Sequence, residues 1–151
     1  MVATARKGRL EEIAEDLFEV VTRVCLTGPR GRRRSGDLKD IEYHALSILQ
    51  GRGTMIVGDI QRLLGVLPAQ MSRIIRALEN RAQPLISCSI NSRDKRKIDV
   101  CLTPFGEQAL LDYQGARVRR IADCLRNLPE DDQDDLAQLL GKLLAVLDQR
   151  R

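Results

Sequence analysis

The chain is 151 residues long, 43% hydrophobic and 30% charged, with a formal net charge of +4. That length suits one domain, or one domain with a small appendage, and it can bury roughly two-thirds of its unfolded surface without disulfide or metal staples. No apolar run reaches the ~20 residues of a membrane helix, and Met1 to Lys7 lacks the apolar core of a signal peptide, so a cytoplasmic protein with no membrane partner is expected.

Leu10, Ile13, Leu17, Val20, Val21 and Val24 recur at helical spacing and predict a first helix from about Leu10 to Leu26. The Gly-, Pro- and Arg-rich stretch Thr27 to Gly36 breaks it and predicts a basic loop. Asp37 can cap a second helix with Leu38, Ile41, Ala45, Leu46 and Leu49 inward, ended by Gly51-Arg52-Gly53. A short third helix is predicted around Val57 to Leu64, with Gly65 as its left-handed stop. Pro68 opens a fourth, reaching to about Asn80, where its missing N–H costs nothing. Met71, Ile74, Ile75 and Leu78 form its inner stripe and leave Ala69, Gln70, Ser72, Arg73 and Arg76 on the open side.

The period then changes to two. Ile86, Cys88 and Ile90, then Ile98, Val100 and Leu102, predict a two-stranded hairpin around the basic tip Asn91 to Lys97. By the same alternation Cys88 faces inward and Cys101 outward. Thr103-Pro104 starts a fifth helix running to about Asn127. Pro129 opens the last, where Leu136, Leu140, Leu143 and Leu147 are widened by Leu139 and Leu144. Such broad apolar faces at the chain ends require partner helices.

The predicted fold is therefore mainly α with a small β-hairpin wing: a winged helix-turn-helix. An amphipathic helix with small and hydrogen-bonding residues outward can enter the major groove and meet base edges. The wing offers Arg93, Lys95, Arg96 and Lys97 to phosphates or the minor groove. The basic excess lies between Arg30 and Lys97, whereas the residues after Val100 are slightly acidic, which points to a polyanion partner. Only Phe18, Tyr43, Phe105 and Tyr113 are aromatic, which disfavours modules that stack single-stranded bases. Arg32, Arg33 and Arg34 can touch DNA backbone or form a solvated loop.

Asp94-x-Arg96-x-x-x-Val100-x-Leu102-Thr103-x-x-Gly106 resembles the wing signature of MarR-type transcriptional regulators. Leu38 to Leu49 and Val57 to Val66 resemble that family's second and third helices, so the similarity spans roughly Leu38 to Leu110. The resemblance implies a winged helix-turn-helix over residues 37–103 and a helical dimerisation region from 1–36 and 104–151, in one compact chain. It implies a homodimeric repressor on a near-palindromic operator in double-stranded DNA, released by a small aromatic or phenolic effector. It also implies that Asp94 fixes the direction of Arg96. Two departures stand out. Pro84 lies in the segment where the family usually has a glycine, and the arginine that usually follows is absent.

Tyr43 and His44 lie on the second helix, which borders the family's effector cleft. Cys25 lies in the first helix, where some members sense peroxide, although it also extends the apolar stripe Val21, Val24. Cys25, Cys88, Cys101 and Cys124 form no CxxC pair and have no histidine at zinc spacing, so free thiols and no metal are expected. No nucleophile elbow, phosphate-binding glycine loop or HExxH is present, so neither an enzyme nor a cofactor is expected. Two rival readings keep the fold: a cysteine-based redox-sensing regulator, and a winged-helix protein-interaction module without DNA binding.

Overall fold

The structure, a computed structural model, describes residues 8–26 and 37–149, with Cys25 and Leu26 described in backbone only. It divides into two units, residues 1–35 and 36–151. In the first, helix α1 (Arg9–Leu26) has Glu11 and Glu12 in its first turn and Arg23 in its last, signs that suit the helix dipole. The Gly8 N–H donates to the Glu11 carboxylate at 3.0 Å. Leu10, Ile13, Leu17, Val20 and Val21 remain exposed along one stripe.

The second unit runs α2 (Asp40–Arg52), β1 (Met55–Ile56), α3 (Val57–Leu64), α4 (Pro68–Glu79), β2 (Ile86–Ile90), β3 (Ile98–Leu102), α5 (Pro104–Leu125) and α6 (Glu130–Asp148). Its core joins Ala45, Leu46 and Leu49 of α2 to Ile60 of α3 and to Met71, Ile74 and Leu78 of α4. Leu85, Ile86, Val100 and Leu110 complete it. Leu46 and Leu49 on α2, and Met71, Ile74 and Leu78 on α4, lie three or four residues apart, as a one-sided helix requires. No described helix is long and apolar enough to cross a membrane.

Two predicted features change. The wing is part of a three-stranded antiparallel sheet of order β1-β3-β2, not an isolated hairpin. Met55 pairs with Val100, and Cys88 pairs with Val100 from the other side. A two-residue strand carries too little sequence to show alternation. The second helix begins at Asp40 rather than next to Asp37. Glu42 turns back and accepts the Lys39 N–H at 3.0 Å, so the end is closed from within the helix.

The helix-turn-helix corner forms as the sequence predicts. Gly65 has φ 65° and ψ 31°, and its N–H donates to the Gln61 carbonyl at 3.0 Å. A residue with a Cβ would be strained there. At the other end of the wing, Thr103 Oγ1 accepts the Gly106 N–H at 3.1 Å and donates to the Pro84 carbonyl at 2.6 Å. The threonine thus caps α5 and ties the Pro84 segment to its start. Thr103→Ala is expected to cost about 1 kcal/mol, the usual worth of such a cap, read by urea unfolding.

Among the described residues, Glu42 is the one buried charged side chain, 3% exposed. It receives Arg81 at 2.9 Å, just past the end of α4. This ion pair ties α2 to the far end of the fourth helix, and removing one partner would strand the other charge away from water.

Candidate nucleic-acid interface

Burial of Met71, Ile74 and Leu78 fixes the rotation of α4. Ala69, Gln70, Ser72, Arg73 and Arg76 are thereby left exposed. The polar members of this face are short or flexible, so a second rigid body can approach it closely.

The wing loop is held by its own side chains. The Asn91 N–H donates to the Lys97 carbonyl at 3.0 Å, and the Lys97 N–H donates to the Asp94 carbonyl at 2.9 Å. Asp94 Oδ1 accepts both the backbone N–H of Arg96, at 3.1 Å, and its guanidinium Nε, at 3.2 Å. Lys97 lies 3.7 Å from the other carboxylate oxygen. The Arg96 backbone N–H, then its side chain, holds the Asp94 carboxyl below the usual carboxylate range. Arg93, Lys95, Arg96 and Lys97 are all exposed.

One open groove of about 800 Å³ runs between α3, α4 and the wing. Ser72 and Arg76 line it from α4, Arg96 and Lys97 from the wing, and Ile75 and Cys88 also face it. The remaining predicted residues of the helix face and wing do not line it. Arg62 of α3, which sequence reading did not single out, also faces the groove. It pairs with Asp59 one turn earlier, and its signal was no more than a basic residue on the outer side of a short helix. The groove is thus chiefly basic, with Glu79 as an acidic contributor.

The residues predicted for an effector cleft separate. His44 lines a second cavity, about 630 Å³, with Ile41, Ser47 and Ile48 of α2 and Leu63 and Leu64 of α3. Ser47 Oγ is buried with no hydrogen-bond partner among the described residues. Tyr43 does not line that cavity. Its ring stacks on Tyr113 at 4.2 Å, and its hydroxyl accepts from Gln114 at 3.1 Å. The Tyr113 hydroxyl donates to Asp40 at 2.5 Å, and Arg117 donates to the same oxygen at 2.6 Å. Burial, then the bond to Asp40, pushes the Tyr113 hydroxyl up to about 12. Tyr43 is therefore part of the joint between α2 and α5.

Cys88 is half-buried rather than fully buried, and Ile90 and Ile98 at the hairpin's tip end are exposed. Desolvation, then the nearby Glu79, pushes its thiol up to about 11. Cys101 is also half-buried and its Sγ lies 3.7 Å from the Ser87 carbonyl, while Cys124 is exposed. Arg32, Arg33, Arg34 and the Cys25 side chain lie outside the described residues. Among the described residues no His, Cys, Asp and Glu cluster could hold a metal ion.

The family model for the MarR family matches residues 38–98, the span from the start of α2 into the wing. Over this segment the chain is similar to the MarR family. The family's members are transcriptional regulators, not enzymes. No curated protein matches the chain in sequence. Solved structures do resemble it. The transcriptional regulator Tm0710 from Thermotoga maritima is 18% identical with a TM-score of 0.75, over 93% of this chain and 96% of that one. The YusO protein from Bacillus subtilis is 21% identical with a TM-score of 0.70, over 94% and 99%. A variant of MepR from S. aureus, bound to an oligodeoxyribonucleotide, is 18% identical with a TM-score of 0.57, over 91% and 94%. At such identities the likeness establishes the fold. The matched segment contains every residue that lines the basic groove.

Proposed function

We propose that this chain is a homodimeric transcriptional regulator that binds a near-palindromic operator in double-stranded DNA and acts as a repressor. The observation that carries the reading is the groove that gathers Ser72 and Arg76 with Arg96 and Lys97. A duplex offers a row of phosphates beside a groove wide enough for a helix. On this reading α4 lies in the major groove, with Gln70 suited to adenine and Arg73 to guanine. Arg76 and Arg62 meet phosphates, and Arg93, Arg96 and the wing lysines follow the adjacent backbone or minor groove. MepR's complex with an oligodeoxyribonucleotide supports it by likeness of fold.

The exposed apolar residues on the helices outside the winged helix support dimerisation. They include Leu10 and Val20 on α1, Val118 on α5, and Leu139, Leu143 and Leu147 on α6. Covering such stripes with a second copy removes apolar area from water at roughly 25 cal/mol per Å². A two-fold dimer would set its two recognition helices about 34 Å apart, one turn of DNA. The cavity beside His44, with Ser47 Oγ in its wall, supports release by a small aromatic effector that carries a hydrogen-bonding group.

The test is titration of duplex promoter DNA at about 50 and 200 mM salt. Roughly six phosphate contacts per dimer should make affinity fall about a thousandfold between them, through counterion release. Absence of binding at low salt by an intact dimer rejects the reading.

A further inference from the structure

The wing's direction is set one step upstream of the signature residues. Asn91 stands at the end of β2, where the chain leaves the sheet, and its side-chain amide uses both ends. Its Oδ1 accepts the backbone N–H groups of Arg93 and Asp94, each at 2.9 Å. Its Nδ2 donates across the hairpin to Asp99 Oδ1 at 2.9 Å. Asp94 in turn accepts the Arg96 N–H and guanidinium. A chain of hydrogen bonds therefore runs from Asp99 on β3, through Asn91 and Asp94, to the guanidinium that faces the groove.

We propose that Asn91 is a positioning residue for DNA binding, which acts through Asp94 to hold Arg96 in the direction that meets the duplex. The inference rests on the DNA-binding reading above. Arg96 itself is almost wholly exposed and would otherwise sample many rotamers, whose loss on binding weakens the contact. Asn91 removes that cost beforehand by fixing the turn on which Asp94 sits. The residue type follows from the geometry. An amide supplies an acceptor for two N–H groups and a donor for a carboxylate at once. An aspartate at position 91 would set its charge against Asp99, and an alanine would leave both N–H groups of the turn and the Asp99 oxygen without this partner.

The experiment is a double-mutant cycle on duplex DNA affinity with the full-length chain: wild type, Asn91→Ala, Arg96→Ala and the pair. Asn91→Ala is expected to weaken binding about thirtyfold, comparable to the loss of both Arg96 contacts of a dimer in Arg96→Ala, and to lower the salt slope in the same way. In the Arg96→Ala background it should then cost less than about twofold, because there is no longer a guanidinium to aim. A merely structural role would lower affinity equally in both backgrounds. Losses that multiply, or an Asn91→Ala protein that binds like wild type, overturn the proposal. Asn91→Ser, whose shorter side chain cannot span from the turn to Asp99, runs the same cycle should the alanine variant fold poorly. Wild-type protein that fails to bind duplex DNA at low salt overturns the DNA-binding reading and this one with it. Wild-type binding with additive losses overturns this one alone.

Discussion

Gly106→Ala is expected to destabilise the winged helix by about 3 kcal/mol or more, at or beyond the upper end for overpacking. A Cβ on Gly106 would stand 2.1 Å from the Leu85 carbonyl oxygen and 2.7 Å from Leu102 Cδ1. A leucine methyl can swing away, but the carbonyl cannot. It accepts the Thr103 N–H at 3.1 Å, and the Leu85 N–H is itself bound to the Leu78 carbonyl at 3.0 Å. Shifting Leu85 would also disturb Ile86, both of them core residues. The alternative is for α5 to lift off the sheet, which exposes Leu110. Gly106 does not have positive φ, so the cost is steric rather than conformational. Because a domain of this kind is held by about 5–15 kcal/mol in all, such a loss should lower the urea midpoint clearly. A midpoint within experimental error of wild type would show that α5 has slack that the contact distances do not suggest.

That glycine also marks the limit of what the sequence discloses. The signature from Asp94 to Gly106 could be matched as a pattern, yet the reason for its last member is a contact with Leu85, a residue before the hairpin. The same division holds elsewhere. The inward stripes of α2, α3 and α4 were legible because helical periodicity is a local property, and the outer face of α4 followed from them. The stop at Gly65 was legible because a left-handed turn has its own residue preference. Contacts between distant segments were not. The stacking of Tyr43 on Tyr113 has no local signal, because its partner lies far along the chain. The pair of Glu42 with Arg81, 39 residues away, has no local signal at all. Two residues of β1 are too few to show a period, and α2 starts at Asp40 rather than beside Asp37 because Glu42 supplies from inside the helix what Asp37 could supply from outside.

Reversing charge at two points across the groove is expected to abolish DNA binding. Arg76 lies on α4 and Arg96 on the wing, and both are exposed, so Arg76→Glu with Arg96→Glu removes no core contact. A dimer carries four such sites. At about 1–3 kcal/mol for each lost contact, together with a new carboxylate facing phosphate, affinity should fall at least about ten-thousandfold. Long-range charge alone could weaken binding to any polyanion, so a control of equal charge is needed. Arg119→Glu with Arg126→Glu, on α5 and at its end, alters net charge by the same amount on exposed positions outside the groove. At about 0.15 M salt the Debye length is about 8 Å, so the control should cost no more than about fivefold. A protein-interaction module would instead keep its partner when the groove is reversed and would show no affinity for duplex DNA in either form. Equal losses in the two double variants would mean that the chain's overall charge, and not the groove between α4 and the wing, governs its hold on DNA.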